Sequence, residues 1–403
     1  MEIMYLGIVF VVVILLLALR RPLYQAILGG LLATAALYRI PPGAIAQRTL
    51  AVFTDWSSLS VLLSLYLITL LQRILEARIQ IRLAQQDLAG IFHDRRIDTV
   101  GAAFFIGLLP SAASMLLCAD IVKEATDGYL DPKEQAFVTS WFRHIPESVL
   151  PTYTAVLLML NLSGVETSQF ILGMIVPVIV LMFLGYQTYL RRIPAETGTA
   201  KSQDRLADAI HLIGHLWPLL LILVLILVFH MQVVTSVLLS ILLSLWAYKI
   251  RREELRRCLR SDFEAKMLVN TFLVLALKEF IDYTGVLLLL PDAMAGLPLP
   301  TYLIFGLLFF VATVISGSTG AIAMATPLAF ASIPQGAPLM VYLMCMSHAA
   351  SQISPTHVCL VVAADYFHVS LGDLVKKTLP IALAFCVLMT LYYQLLSSLL
   401  PLG

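Results

Sequence analysis

Two polar runs interrupt a chain that is otherwise apolar enough to sit in lipid: RHIPESVLPTY at 143–153 and SHAASQISPTH at 347–357. Backbone that leaves a helix inside a membrane loses its hydrogen bonds, and it is tolerated only where protein or a water-filled cavity satisfies it. Arg143 offers a planar fork that fits a carboxylate, and an intramembrane arginine is costly enough to read as functional. The plainer alternative is an internal pair with Glu147, one helical turn on. His144, Glu147, His348 and His357 are the titratable groups that proton coupling would use. Their plainer role is to satisfy freed backbone groups. Ser351, Gln352 and Ser354 add hydroxyls and an amide to the ion- or proton-coupling set, and Thr356 adds a hydroxyl for substrate.

Two further stretches are built of small residues: LLPSAAS at 108–114 and SGSTG at 316–320. Ser111, Ser114, Ser316, Ser318 and Thr319 could bind a carboxylate or complete a sodium shell there. Close packing of neighbouring helices is the competing use of small residues. Gly317 and Gly320 would serve the turn itself.

The elements that hold these groups must lie in a membrane. The chain has 403 residues, of which 60% are hydrophobic and 13% charged, whereas a soluble domain carries about 25% charged residues. The net charge of +1 excludes no class of partner. Residues 3–19 are apolar but follow Met1 and Glu2 and precede Arg20, Arg21 and Pro22, so they read as a first spanning helix and not as a cleaved signal. Cys118, Cys258, Cys345, Cys359 and Cys386 have neither metal nor disulfide spacing and are expected to be free thiols.

A span needs about 20 mostly apolar residues. Ten segments qualify, near 2–19, 22–39, 56–76, 134–162, 168–190, 209–229, 232–249, 264–289, 337–364 and 374–400. The two that meet near His230 are separated by no strong breaker. Segments 98–126 and 301–333 read as re-entrant hairpins. With this count, nearly all basic loops fall on one side, including Arg20, Arg78, Arg95, Lys133, Arg192, the run 249–266 and Lys377, while Arg39 and Arg48 fall on the other. The basic side is then cytoplasmic, with both termini outside, in a multi-pass protein of the cell (inner) membrane. The basic run KIRREELRRCLR at 249–260 reads as a cytoplasmic loop near anionic lipid headgroups, not as a nucleic-acid site. Asp120, Asn161 and Asp365 are expected to cap helix ends, and Lys278, Glu279 and Asp282 to form an ion network.

Laid over each other, residues 1–200 and 204–403 show the same order of elements: three helices, a hairpin, a broken helix and a final helix. A shift of 204 aligns Ser114 with Ser318, His144 with His348, Pro151 with Pro355 and Thr152 with Thr356. Each half crosses an odd number of times, so the second runs inverted. The predicted fold is an all-α polytopic membrane protein of about ten transmembrane helices and two re-entrant hairpins, in two inverted-topology repeats with two discontinuous helices. Secondary transporters use that architecture, with the site at the repeat interface.

SGSTGAIAMATP (316–327), SHAASQISPTHVCL (347–360), PSAAS (110–114) and RHIPESVLPT (143–152) resemble the ion transporter superfamily. That group includes divalent anion:sodium symporters, gluconate permeases, dicarboxylate carriers and the large subunits of tripartite periplasmic carriers. SQISPTH is most similar to the gluconate-permease and dicarboxylate-carrier side, and the chain could belong to an uncharacterised integral-membrane family within the group. The resemblance implies a scaffold domain, a mobile transport domain, a homodimer and an elevator-like movement. The divalent-anion branch carries Ser-Asn-Thr at its tips and breaks; no Ser-Asn-Thr stands at those places here, a departure that bears on both sodium coupling and a dicarboxylate substrate.

The expected function is secondary transport of a small, anionic organic solute such as a carboxylate, coupled to sodium or protons, and not an enzyme activity. No cofactor is expected beyond a sodium ion near Ser111–Ser114 and Ser316–Thr319. The expected partners are the solute, membrane lipid and a second copy of the chain. No Walker sequence appears, which argues against ATP-driven pumping. An intramembrane hydrolase and an ion channel are the competing readings. A hydrolase leaves the matched second half unexplained, and no G-x-S-x-G elbow is present.

Overall fold

The computed structural model describes residues 1–19, 21–92, 94–108, 113–196, 204–260, 265–294, 296, 298–333 and 336–399. Among the described residues all regular structure is helical. The first half contains α1 (Glu2–Ala18), α2 (Leu23–Leu37), α3 (Pro42–Thr54), α4 (Trp56–Ala77), α5 (Gln80–Phe92) and α6 (Arg95–Ile106), then α7 (Ala113–Thr126), α8 (Pro132–His144), α9 (Thr154–Ser163), α10 (Thr167–Gly173) and α11 (Ile175–Thr188). The second contains α12 (Arg205–Leu227), α13 (Val233–Ala247), α14 (Arg252–Arg260), α15 (Ala265–Thr284) and α16 (Leu290–Met294), then α17 (Thr301–Ser332), α18 (Gly336–Ser351), α19 (Val358–Tyr366) and α20 (Leu371–Leu399).

Among the described residues, five helical stretches are long and apolar enough to cross a membrane: Trp56–Ala77, Thr167–Thr188, Arg205–Leu227, Thr301–Ser332 and Leu371–Leu399. Shorter apolar helices, such as Glu2–Ala18 and Val233–Ala247, lie among them. The chain does break near His230, which adopts φ 50° between α12 and α13. Four helices lie outside the segments expected from the sequence: α3, α5, α14 and α16. Arg252–Arg260 of the basic run form α14, and α3 and α5 are too polar for a hydropathy window to find. Asn161 and Asp120 do not cap helix ends. Asn161 lies inside α9 and donates to the Ser57 carbonyl (2.9 Å), while Asp120 lies inside α7 and accepts from the Tyr366 hydroxyl. The expected ions do gather around α15: Lys278 lies 3.9 Å from Asp282, and Glu279 lies 3.6 Å from Arg48.

Local sequence sets the breaks that matter. α8 opens with a capping box between Asp131 and Glu134 and with Pro132 in its first turn. It stops at His144 because Pro146 has no N–H to continue the ladder. A single 3-10 turn, Pro146–Ser148, follows before α9 resumes. Pro355 stands between α18 and α19, 204 positions after Pro151. α17 is interrupted at Gly317, whose φ of 79° and ψ of 163° are open to glycine almost alone.

α8, α9 and α10 begin 204 positions before α18, α19 and α20 respectively. The packing crosses between the halves. α9 lies on α17 while α19 lies on α7, and α10 lies on α18 while α20 lies on α8. Charged groups near helix ends also meet one another. Glu134 bonds Arg192 (2.8 Å) and Lys377 (3.3 Å), Asp373 bonds Lys133 (3.1 Å), and Glu254 bonds Arg78 (3.0 Å).

Candidate functional site

A polar cavity of about 440 Å³ sits where the two interrupted helices face each other. From the first break come Arg143 and Glu147, then Thr152, Tyr153 and the opening residues of α9, Thr154 and Ala155. From the second come Ser351, Ser354, Thr356, His357 and the opening residues of α19, Val358 and Cys359. Gly317, Ser318 and Thr319 close one side. Thr69 and Gln72 of α4, with Met267 of α15, close another.

Both second half-helices point their N-termini into this space. Tyr153 is the N-cap of α9 and His357 that of α19, and neither side chain makes a capping bond. A helix N-terminus carries unpaired amide donors and a partial positive charge, so two of them around one cavity favour an anion. Arg143 adds a full positive charge to the same wall. It is 2% exposed, and its Nη1 lies 3.7 Å from the Cys359 sulfur.

The wall also holds polar atoms that no protein group engages. Among the described residues, Thr152 Oγ1 and Gln72 Nε2 are buried and find no hydrogen-bond partner. Buried polar groups are normally satisfied, so a polar occupant is the natural complement.

The remaining candidates divide. Ser318, Thr319, Ser351, Ser354 and Thr356 face the cavity. Ser354 and Thr356 share a hydrogen bond (2.7 Å), and Ser354 also donates to the Val314 carbonyl, tying the second break to α17. Ser316 does not line the cavity; its hydroxyl turns back to the Ala312 carbonyl (2.7 Å). His348 and Gln352 are buried behind the wall, with 3.4 Å between their side-chain nitrogens. His144 is wholly buried. Its Nδ1 lies 2.6 Å from the Ser140 carbonyl and its Nε2 3.8 Å from Glu147. So Glu147, foreseen as a partner of Arg143, also has the neighbouring histidine within reach. Ser111 and the side chain of Ser114 lie outside the described residues.

Sequence reasoning passed over Thr69, Gln72, Tyr153, Thr154, Met267 and Cys359. Two signals were available. Thr69 and Gln72 are a polar pair at helical spacing inside an apolar helix. Tyr153 and Thr154 stand 204 positions before His357 and Val358.

Residues 5–396 match the family described as Protein of unknown function (DUF401). No match is found among the curated proteins. The chain is similar in fold to the crystal structure of the Alcanivorax borkumensis YdaH transporter, whose topology is described as unusual. That similarity has a TM-score of 0.60 at 12% identity and covers 90% of this chain and 91% of the other.

Proposed function

The chain belongs to the DUF401 family, and from that premise we propose that it is a secondary active transporter of a small organic anion such as a carboxylate. The observation that carries this reading is the meeting of two uncapped helix N-termini with the Arg143 guanidinium around one cavity. Three sources of positive potential converge, and hydroxyls from Ser318, Thr319 and Thr356 can orient what they hold. A volume of about 440 Å³ lies in the usual range for a small-molecule site. The fold shared with a chain described as a transporter supports the same reading.

The finer features follow as parts of the proposal. The 204-position recurrence of three helix starts, with the crossed packing, supports two inverted repeats over 1–200 and 204–403. The repeats, an elevator-like movement and a homodimer would place the chain in the ion transporter superfamily. Coupling uses either sodium, held by oxygens near Ser318 and Thr319, or protons, carried by Glu147 with His144 and His357.

The test is melting of the purified protein against a panel of organic acids, each with sodium or potassium, at two pH values. A ligand that binds only the folded chain raises the melting temperature by mass action. Stabilisation by a carboxylate, lost in Arg143→Ala, is the expected result. Sodium dependence would identify sodium coupling, and pH dependence without sodium would identify protons. Stabilisation only by neutral solutes or cations would overturn the anion reading. Flux that fails to saturate with solute would replace the carrier by a channel, and labelling by a fluorophosphonate would replace it by a hydrolase.

A further inference from the structure

We infer that His144, His357 and Cys359 form a site for a borderline-soft metal cation of the Zn²⁺ type, bridging the two interrupted helices. Their ligating atoms all lie within 4.8 Å of one another. His144 comes from the end of α8, and His357 and Cys359 from the start of α19. The site stands on its donor geometry and does not depend on transport.

His144 is the anchor. Its Nδ1 is 2.6 Å from the Ser140 carbonyl, an acceptor only, so Nδ1 carries the hydrogen and donates it. Nε2 is left with its lone pair. The ring is 0% exposed, and Nε2 finds no hydrogen-bond partner among the described residues. It faces His357, whose ring centroid is 4.5 Å from its own. A buried acceptor without a donor is costly. A histidine that gives its other ring N–H to a backbone carbonyl is also the arrangement in which metal-bound imidazoles are held.

Cys359 supplies the sulfur. It is the least buried of the five cysteines and lines the cavity, so an ion can reach it. On binding, the metal takes the thiolate, and the thiol proton passes to solvent. Arg143 Nη1, 3.7 Å from that sulfur, is placed to donate to the bound thiolate. Glu147 Oε2, 3.8 Å from His144 Nε2, offers a fourth donor.

This donor set selects the class of ion. Two imidazoles and a thiolate suit zinc and its neighbours, whereas sodium, magnesium and calcium require oxygen. Tetrahedral bonds of about 2.0–2.3 Å put donors roughly 3.3–3.7 Å apart. Rotation of the thiol and of the His357 ring closes the remaining gap. Once bound, the ion joins the first half of the chain to the second at the cavity wall.

The experiment is a Co²⁺ titration of the purified, chelator-treated protein, followed by absorbance, with Zn²⁺ as competitor. The expected result is one Co²⁺ per chain with a thiolate-to-metal charge-transfer band, displaced by Zn²⁺ and not by Na⁺ or Mg²⁺. Cys359→Ser should remove the band and weaken Zn²⁺ binding by more than about tenfold, and His357→Ala should weaken it similarly. Cys386→Ser, a buried thiol outside the set, should leave both unchanged. Absence of the band in the wild type, or unchanged Zn²⁺ affinity in Cys359→Ser, overturns the site. If a variant fails to fold, the wild type decides: Zn²⁺ must slow maleimide alkylation of Cys359, and an unchanged rate overturns the site. None of these readouts involves solute, so this site and the anion reading can fail separately.

Discussion

Tyr153 and His357 hold the same place in the two halves: each is the residue immediately before a second half-helix, 204 positions apart, and both line one cavity. Neither spends its side chain on the helix it precedes. The Tyr153 hydroxyl donates to the Gly107 carbonyl, and the His357 ring meets His144 edge to face at 67°. No side-chain cap therefore covers the first turn of α9 or of α19. Two unrelated residue types do this from matched positions.

Arg143→Ala should abolish ligand-induced stabilisation while leaving the protein expressible. A hydrogen bond to a charged group contributes about 1.5–3 kcal/mol, so affinity for the anion should fall by at least roughly tenfold. Arg143→Lys keeps the charge but loses the fork, and should recover only part of the affinity. Melting-temperature shifts against the stabilising acid measure both. Unchanged shifts in the alanine variant would remove Arg143 from the site.

Gly107→Ala and Gly101→Ala form a matched pair on one stretch of chain. A Cβ at Gly107 would run into the Arg143 backbone carbonyl, which cannot move without moving the break. A Cβ at Gly101 would meet a methyl and, at 3.4 Å, the Cγ of Leu88, a flexible side chain. Gly107→Ala should lower the melting temperature clearly and weaken anion binding with it. Gly101→Ala should cost much less, helped by up to about 1 kcal/mol of helix propensity. Equal melting temperatures for the two would contradict the packing described.

Gly317→Ala probes the interruption of α17. The nearest atom to a Cβ there is Thr356 Oγ1 at 3.6 Å, an ordinary contact, so space is not the obstacle. The obstacle is the backbone at φ 79°, and the expected cost is about 1–3 kcal/mol. Denaturation in detergent compares the variant with wild type. A stability equal to wild type would mean that α17 is not held in this conformation.

Glu166 gives a pH dependence outside the membrane-spanning segments. The hydrogen bond from Ser168 (2.6 Å) holds its carboxyl below the usual range, with a further contribution from His230 (2.8 Å). A carboxylate with a depressed folded-state pKa contributes stability that is present above its unfolded pKa and lost as pH falls through the folded one. The difference in melting temperature between wild type and Glu166→Gln should therefore shrink as the solution is acidified. Ser168→Ala should move that loss to higher pH. A difference independent of pH would rule the pair out as a contributor.

The breaks were legible because proline and clustered hydroxyls inside apolar sequence have few other uses in a membrane. Arg143, Glu147, Ser354 and Thr356 could be read from the sequence for that reason. Thr69 and Gln72 could not be read as easily, since one or two polar residues on an apolar helix also occur at packing interfaces. α3, α5 and α14 escaped because hydropathy detects spans, not short amphipathic helices between them. Cys359 looked inert because its partners, His144 and Arg143, lie more than two hundred positions away and reach it only through the fold.

Gly107 touches the Arg143 carbonyl and accepts from the Tyr153 hydroxyl, so a single residue at the end of α6 rivets the close of α8 to the opening of α9. That approach and that hydrogen bond tie the arginine and the first half-helix terminus to the arm that bears them. On the transport proposal, a stroke that carries an occupant across the membrane would move this cluster as one cargo block, with its bending points elsewhere in the chain.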